Sequence, residues 1–357
     1  MKPVFILAAI LIFGLLVALH EAGHCIVAKL CGVKVNEFSI GMGPLIWQKQ
    51  GKETWYSLRA VPFGGYCAME GEQEDSDDPR SFTRQAWWKR LLILVAGCTM
   101  NFLTGLVIIL ALFSGAAAFY TDSISGFADG FPLEGEEGLM AGDVFYKIDG
   151  YRTYLRGDAS LFLQYHRGGT IDLEVLRDGE KVVLNDFPMA RRTYTGTDGK
   201  EYTGFGLFVS PHMEEADAWV RLKYTWYQAL DFVQQVRFSL VQLVTGGVSV
   251  KEVSGPVGIV STITEVGEQS ETLADAWQNI AFIAALLAVN LAVMNLLPIP
   301  GLDGGQIFLM AANGVCLALF RRKVPEKYQM AVNAAGLAAL LTFMLLVTVQ
   351  DVVKLFQ

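Results

Sequence analysis

The sequence of 357 residues is short of charge, of histidine and of paired cysteine. Only 18% of it is Asp, Glu, Lys or Arg, against roughly a quarter in an average soluble chain, while 52% is hydrophobic. That balance disfavours a purely soluble enzyme. The net charge is −8, so the basic stripe of a nucleic-acid binder is missing and no nucleic-acid partner is expected. The five cysteines, Cys25, Cys31, Cys67, Cys98 and Cys316, are odd in number and form no CxxC pair, which argues against a disulfide framework and against a zinc ribbon. They read as small apolar residues or unpaired thiols.

What the chain does have is long uncharged runs. A hydrocarbon core about 30 Å thick takes roughly 20 apolar residues as a helix, and four runs reach that length. The first extends from Pro3 to Leu19 and resumes from Cys25 to Leu30; the second extends from Leu91 to Phe119. The third covers Ile280 to Leu302 and continues after an interruption into Gln306 to Phe320; the fourth runs from about Tyr328 to Val349. The first run lacks a small-residue cleavage site and is expected to be retained, not removed as a signal peptide. The expected fold class is a polytopic α-helical membrane protein with four transmembrane segments. Basic residues orient it. Lys34, Lys49, Lys52, Arg59, Arg80, Arg84, Lys89 and Arg90 separate the first two runs, and Arg321, Arg322, Lys323 and Lys327 separate the last two. Both stretches are assigned to the cytoplasm, and about Tyr120 to Gln278 to the opposite side. The acidic run Glu70 to Asp78 is expected to be a solvated linker.

The outer region looks β-rich. Between Ser123 and Phe208, the runs Val144 to Ile148, Ile171 to Leu176 and Lys181 to Leu184 are broken by Asp149-Gly150, Gly168-Gly169 and Asp178-Gly179, which signal turns. Gly138-Leu139-Met140-Ala141-Gly142-Asp143, followed by Ile148-Asp149-Gly150, resembles a stretch of PDZ domains, which take an extended peptide or a C-terminus as an added strand. A plain β-rich spacer is the alternative. Trp219, Leu222, Trp226, Leu230, Val233, Val236, Leu240 and Val244 then recur every three or four residues, as on an amphipathic helix. That helix either lies along the outer membrane surface or packs against the β-rich module. Four regions result: 1–119 with the first two runs, 120–212 as the PDZ-like module, 213–278 as the amphipathic helix and loop, and 279–357 with the last runs.

Ionisable side chains within lipid are costly, which makes each one a functional candidate. Within the apolar runs these are His20, Glu21, His24 and Asp303, besides Lys29, which can snorkel from a helix end. His20-Glu21-Ala22-Gly23-His24 is an HExxH pattern. Its spacing of four puts both imidazoles on one helix face, where they can share a tetrahedral Zn²⁺, with Glu21 beside them to handle protons. The chain has only four histidines, and the other two, His166 and His212, fall in the outer region. By elimination Asp303, the only acid of the third run, is expected as the third ligand. Its surroundings, Asn295-Leu296-Leu297-Pro298-Ile299-Pro300-Gly301-Leu302-Asp303-Gly304-Gly305, must break a helix, and broken backbone at membrane depth needs protein or a wet cavity around it. Asn290 and Asn295 suit either hydrogen bonding between helices or contact with a substrate.

Taken together, HEAGH in the first run, NLLPIPGLDGG in the third and the PDZ-like insert resemble the site-2 protease family of intramembrane zinc metalloproteases. The likeness covers nearly the whole chain and is to the bacterial sigma-regulating branch with a single PDZ domain. Phe38 to Pro44 with Pro62 to Tyr66 resembles that family's membrane-reentrant β-loop, and Asp78 to Phe82 and Ser254 to Ile259 resemble further motifs. The resemblance implies zinc on His20, His24 and Asp303, catalysis by Glu21, and substrate handling by Asn290, Asn295 and Pro298. It also implies a bacterial inner-membrane enzyme whose active site lies toward the cytoplasm. Its expected substrates are transmembrane segments of single-span proteins, such as anti-sigma factors or signal-peptide remnants, in regulated intramembrane proteolysis. The chain departs from the pattern at Ala96-Gly97-Cys98-Thr99-Met100-Asn101, where the family commonly has Ala-Gly-Pro before an Asn. Losing the proline is expected to alter the bend of the second run without touching the metal site.

An intact transmembrane helix hides its carbonyls, so a substrate must unwind; about Leu45 to Val61 is expected to offer an exposed strand to hold it. Two other classes compete. A metal transporter also places His and Asp in the membrane, but no internal repeat around a midplane site is evident. An inactive scaffold working through its PDZ-like module has no need of Glu21.

Overall fold

The computed structural model describes residues 2–72, 76–166, 169–195, 201–247, 253–321 and 326–354. In chain order they begin with helix α1 (Lys2–Leu30), strands β1 (Val35–Gln50) and β2 (Trp55–Met69), and helix α2 (Trp87–Phe113). Strands β3 (Ala118–Phe127), β4 (Val144–Ile148) and β5 (Tyr151–Arg152) precede the short α3 (Asp158–Tyr165). Next come β6 (Ile171–Arg177), β7 (Glu180–Phe187), β8 (Arg192–Thr195), β9 (Glu201–Gly204) and β10 (Leu207–Glu215). Helices α4 (Ala218–Thr245), α5 (Pro256–Gln269), α6 (Leu273–Asn295), α7 (Asp303–Phe320) and α8 (Glu326–Lys354) close the order. Two compact units emerge, residues 1–108 with 248–357, and residues 109–247.

Among the described residues α1, α2, α6, α7 and α8 are long and apolar enough to cross a membrane, five helices against four runs in the sequence. The difference lies in the third run. Pro298 and Pro300 offer no N–H to continue α6, Gly301 adopts φ +95°, and the chain restarts as α7 at Asp303. Gly304 sits so tightly under the carbonyls of Leu296 and Leu297 that a Cβ would overlap both oxygens. α1 packs through Phe5, Ala9 and Leu16 onto Ile263 of α5 and Ile280, Leu287 and Ala288 of α6. Leu7, Leu11 and Leu15 of α1 and Leu341, Leu345 and Leu346 of α8 stay exposed, as lipid-facing residues would. α2 runs through Cys98 without interruption; a cysteine keeps the backbone N–H that a proline would remove.

Strands β1 and β2 form a hairpin that folds back on itself. Glu37 to Ile40 pairs on one side with Ala68 to Gly65 and on the other with Trp55 to Leu58, which pairs again with Gln50 to Trp47. The hairpin exposes Met42, Leu45, Ile46, Trp47 and Val61, an apolar surface unsuited to water. The acidic stretch after β2 is more ordered than a solvated linker. Glu70 accepts hydrogen bonds from Lys34 Nζ at 3.1 Å, Asn36 Nδ2 at 2.9 Å and Ser76 Oγ at 2.6 Å. Residues 73–75 of that run, Gly168 of the Gly168-Gly169 pair, and Arg322 and Lys323 of the later basic loop, lie outside the described residues.

The second unit is built on a sheet of order β10-β3-β4-β6-β7 with β5 beside β4, plus the separate β8-β9 pair. The expected Asp-Gly turns join β4 to β5 and β6 to β7, and both residues of each have positive φ, the geometry that suits the twist of a two-residue hairpin. Ile124, Phe145, Ile148, Phe162, Leu173 and Val175 form the core. Arg177 grips Asp143 through Nε at 2.9 Å and Nη2 at 2.8 Å, fixing the end of the Gly138 to Asp143 stretch. Of the two alternatives for the amphipathic helix, packing holds. Phe238 of α4 joins this core, and the Gln234 amide exchanges hydrogen bonds of 2.9 and 2.6 Å with the backbone of Arg152. Trp219 and Trp226 remain exposed.

Candidate metal centre

The HExxH turn lies in the second half of α1, with His20 and His24 both buried. α2 supports it. His24 Nδ1 is 2.7 Å from the carbonyl oxygen of Ile93; accepting that bond, the carbonyl fixes the proton on Nδ1 and leaves the Nε2 lone pair for a metal. Gly97 passes beneath both rings, and a Cβ there would overlap His24 Nε2 and crowd His20 Cε1. Sequence reasoning missed Gly97; its signal was a glycine kept inside an apolar helix, a mark of close backbone approach.

Asp303 completes the group from the first turn of α7. His20 Nε2 and His24 Nε2 are 3.2 Å apart, and Asp303 Oδ2 lies 3.2 Å from the first and 3.3 Å from the second. Zinc bonds of about 2.0 Å to nitrogen or oxygen separate two tetrahedral ligands by about 3.3 Å. The observed triangle therefore fits one zinc ion, and two imidazoles with one carboxylate are a donor set that leaves a fourth position open. The other histidines take no part; His166 Nδ1, for instance, is 2.7 Å from Asp149 Oδ2 in the second unit.

Comparison with known proteins adds a family. The model described as Peptidase family M50 matches residues 8–343, a span that includes every residue of this cluster. The chain belongs to peptidase family M50. This is the site-2 protease family that its motifs resemble, and with its long apolar helices the chain is an integral membrane metallopeptidase. Relatives named zinc metalloprotease come from Clostridium perfringens, 34% identical over 351 residues covering 98% of each chain, and from Clostridium acetobutylicum, 35% identical over 356 residues covering 98% and 97%. The zinc metalloprotease RasP of Shouchella clausii is 28% identical over 435 residues, covering 98% of this chain and 99% of its own.

In this M50 chain Glu21 follows His20 directly and is half-buried. It lies beside Cys67 and Gly65 of β2, so the hairpin borders the carboxylate. Glu21 and Cys67 belong to a cavity of about 900 Å³ lined also by His24, Tyr66, Met69, Glu72 and Asp303, among others. Of the expected substrate residues, Asn295 is brought to the cluster, its Nδ2 lying 3.4 Å from His20 Nε2. Asn290 stands five residues earlier in α6, half-buried, and Pro298 is exposed in the break.

Besides Gly97, two residues of this M50 site went unforeseen. Cys98 Sγ lies 3.6 Å from Asp303 Oδ2, which corrects the expectation that the departure from Ala-Gly-Pro leaves the metal site untouched. Cys98 adjoins Gly97, where α2 comes nearest the imidazoles, so its side chain reaches the carboxylate. Glu72 lines the cavity, and burial pushes its carboxyl up to about 7, opposed by His24 and reinforced by Glu21 and Asp303. Nothing in the acidic run's composition sets Glu72 apart from its neighbours.

Proposed function

We propose that this M50 peptidase is a zinc-dependent intramembrane endopeptidase that cuts transmembrane segments of single-span proteins. Anti-sigma factors and signal-peptide remnants are its substrate class, and regulated intramembrane proteolysis its setting. The observation that carries this is the triangle of His20, His24 and Asp303, with sides of 3.2 to 3.3 Å, on helices apolar enough for a bilayer. These three side chains hold the zinc that the relatives' names specify. When bound, zinc polarises a peptide carbonyl and lowers the pKa of a water molecule.

The chain's own residues supply the rest. Glu21, bordered by the hairpin, takes a proton and returns it to the leaving amine. His24 is kept in one tautomer by Ile93. Asn295 binds the substrate beside His20, while Asn290 and Pro298 shape the broken segment that receives it. Among the described residues Tyr66 to Met69 pair only with β1, and they line the cavity while Leu45 to Val61 does not, which favours this segment as the strand that holds an unwound substrate extended. The apolar face of the hairpin supports its dipping into the membrane.

The proposed topology has four crossings, with α6 and α7 counted as one interrupted segment, in the bacterial inner membrane. The active site then lies toward the cytoplasm, and residues 120–212 form an extracytoplasmic PDZ-like module. That module binds peptide C-termini or excludes substrates that still carry bulky outer domains.

The test is Glu21→Gln. Purified variant and wild type are incubated with single-span membrane peptides, with and without a zinc chelator, and products are mapped by mass. Expected are equal zinc contents, cleavage by the wild type alone and its loss on chelation. Undiminished cleavage by the variant, or an active wild type without zinc, overturns the reading.

A further inference from the structure

We propose that Cys98 is a fourth, exchangeable zinc ligand in this chain. The inference rests on the zinc reading of His20, His24 and Asp303 given above. Bonds of about 2.3 Å to sulfur and 2.0 Å to oxygen separate a tetrahedral thiolate and carboxylate by about 3.5 Å. Cys98 Sγ and Asp303 Oδ2 are 3.6 Å apart, so that edge of the coordination figure is already formed. The ligating atoms of His20, Cys98 and Asp303 all lie within 4.8 Å of one another. Cys98 is 2% exposed, which separates it from surface thiols open to bulk solvent. Thiolate sulfur is among the ligands that zinc accepts most readily. Proline at this position, as in the pattern the chain departs from, has no atom to offer.

The same geometry makes the bond exchangeable. The limit of 4.8 Å within which these atoms lie is wider than the roughly 3.5 Å expected between sulfur and a nitrogen on one zinc, which leaves the sulfur room to enter and to leave the coordination figure. On entry the thiol gives its proton to solvent and a sulfur lone pair to zinc; on release it takes a proton back. No oxidant or reductant is needed. The resting site is then closed by protein, and an incoming ligand opens it.

The experiment is zinc-edge X-ray absorption on the full chain in detergent, with zinc content measured alongside. Wild type is expected to show a sulfur neighbour at about 2.3 Å next to nitrogen and oxygen at about 2.0 Å. Cys98→Ala and Cys98→Ser are expected to lose the sulfur, keep the remaining ligands, and release zinc to a chelator about 10-fold faster. A peptide hydroxamate, which occupies open positions on zinc, is expected to expel the sulfur from wild type. Zinc bound through nitrogen and oxygen alone in wild type overturns the role of Cys98 and leaves the metal site standing. A protein that binds no zinc overturns the metal site itself. Sulfur that persists in both variants assigns it to another cysteine, and sulfur that persists under hydroxamate overturns exchange.

Discussion

Gly97 on α2 touches His24 on α1 so closely that no side chain fits between them. The helix crossing is thus also the floor of the candidate metal centre, and the backbone of one helix sets how far the imidazoles of the other reach. Gly97→Ala is expected to lower zinc affinity about 10- to 100-fold, as when the partners that orient metal ligands are lost. Competition against a chelator measures this, and circular dichroism should show unchanged helix content. Unchanged affinity would mean that the helices part at no cost.

Asn295 offers its amide to the side of the cluster where His20 stands. Asn295→Ala is expected to lower kcat/KM about five- to tenfold, the equivalent of about 1 kcal/mol for one hydrogen bond. Asn290→Ala, one and a half turns away on the same helix, is expected to have a smaller effect. Peptide cleavage kinetics compare the two, and the reverse order would move substrate contact away from His20.

Glu72 couples metal uptake to protons. Burial raises its carboxyl to about 7 in the metal-free site, and a dication in the same cavity draws that value down. Zinc binding near pH 6 is therefore expected to release more protons from wild type than from Glu72→Gln, and the difference should vanish above about pH 8, where the carboxyl is already ionised. Calorimetry in two buffers of different ionisation heat gives the count. A difference that does not vary with pH would remove Glu72 from the site's electrostatics.

In the second unit Asp231 of α4 is only 2% exposed, and its Oδ2 accepts from Gln235 at 2.7 Å. Burial first, then the buried Asp158 carboxylate, pushes it above the usual carboxylate range. The folded state thus holds a proton that the unfolded state gives up near pH 4. Stability is full below that pH and falls as pH rises toward the folded value. Asp231→Asn should unfold at about the wild-type temperature at pH 4 and at a higher one at pH 8, as read by thermal unfolding of the full chain. A gap that stays constant with pH would rule this out.

Much of this was legible in the sequence because scarcity did the sorting. With four histidines and few charges in the apolar runs, HExxH and Asp303 were conspicuous before any coordinate, and the Asp-Gly pairs marked both hairpins because few residues tolerate successive positive φ. Gly97, Cys98 and Glu72 were opaque for the opposite reason. Their surroundings depend on which faces of α1, α2 and the hairpin meet, and periodicity within one element does not specify that. The fold-back of β1 and β2 was equally hidden, since the same residues of Glu37 to Ile40 pair on both edges. The break in the third run was legible as well, from Pro298, Pro300 and the glycines around them; what hydropathy did not show is that the piece after the break is long enough to count as a helix of its own.

The break before Asp303 has a mechanical consequence. The two imidazoles ride on α1 and the carboxylate on the first turn of α7, so the triangle joins two separate rods. Helices answer a change in bilayer thickness by tilting or sliding, and a slide of about one ångström is large beside a metal–ligand bond of about 2 Å. A change in the surrounding lipid that moves α1 against α7 would therefore reach the triangle through the two helices themselves.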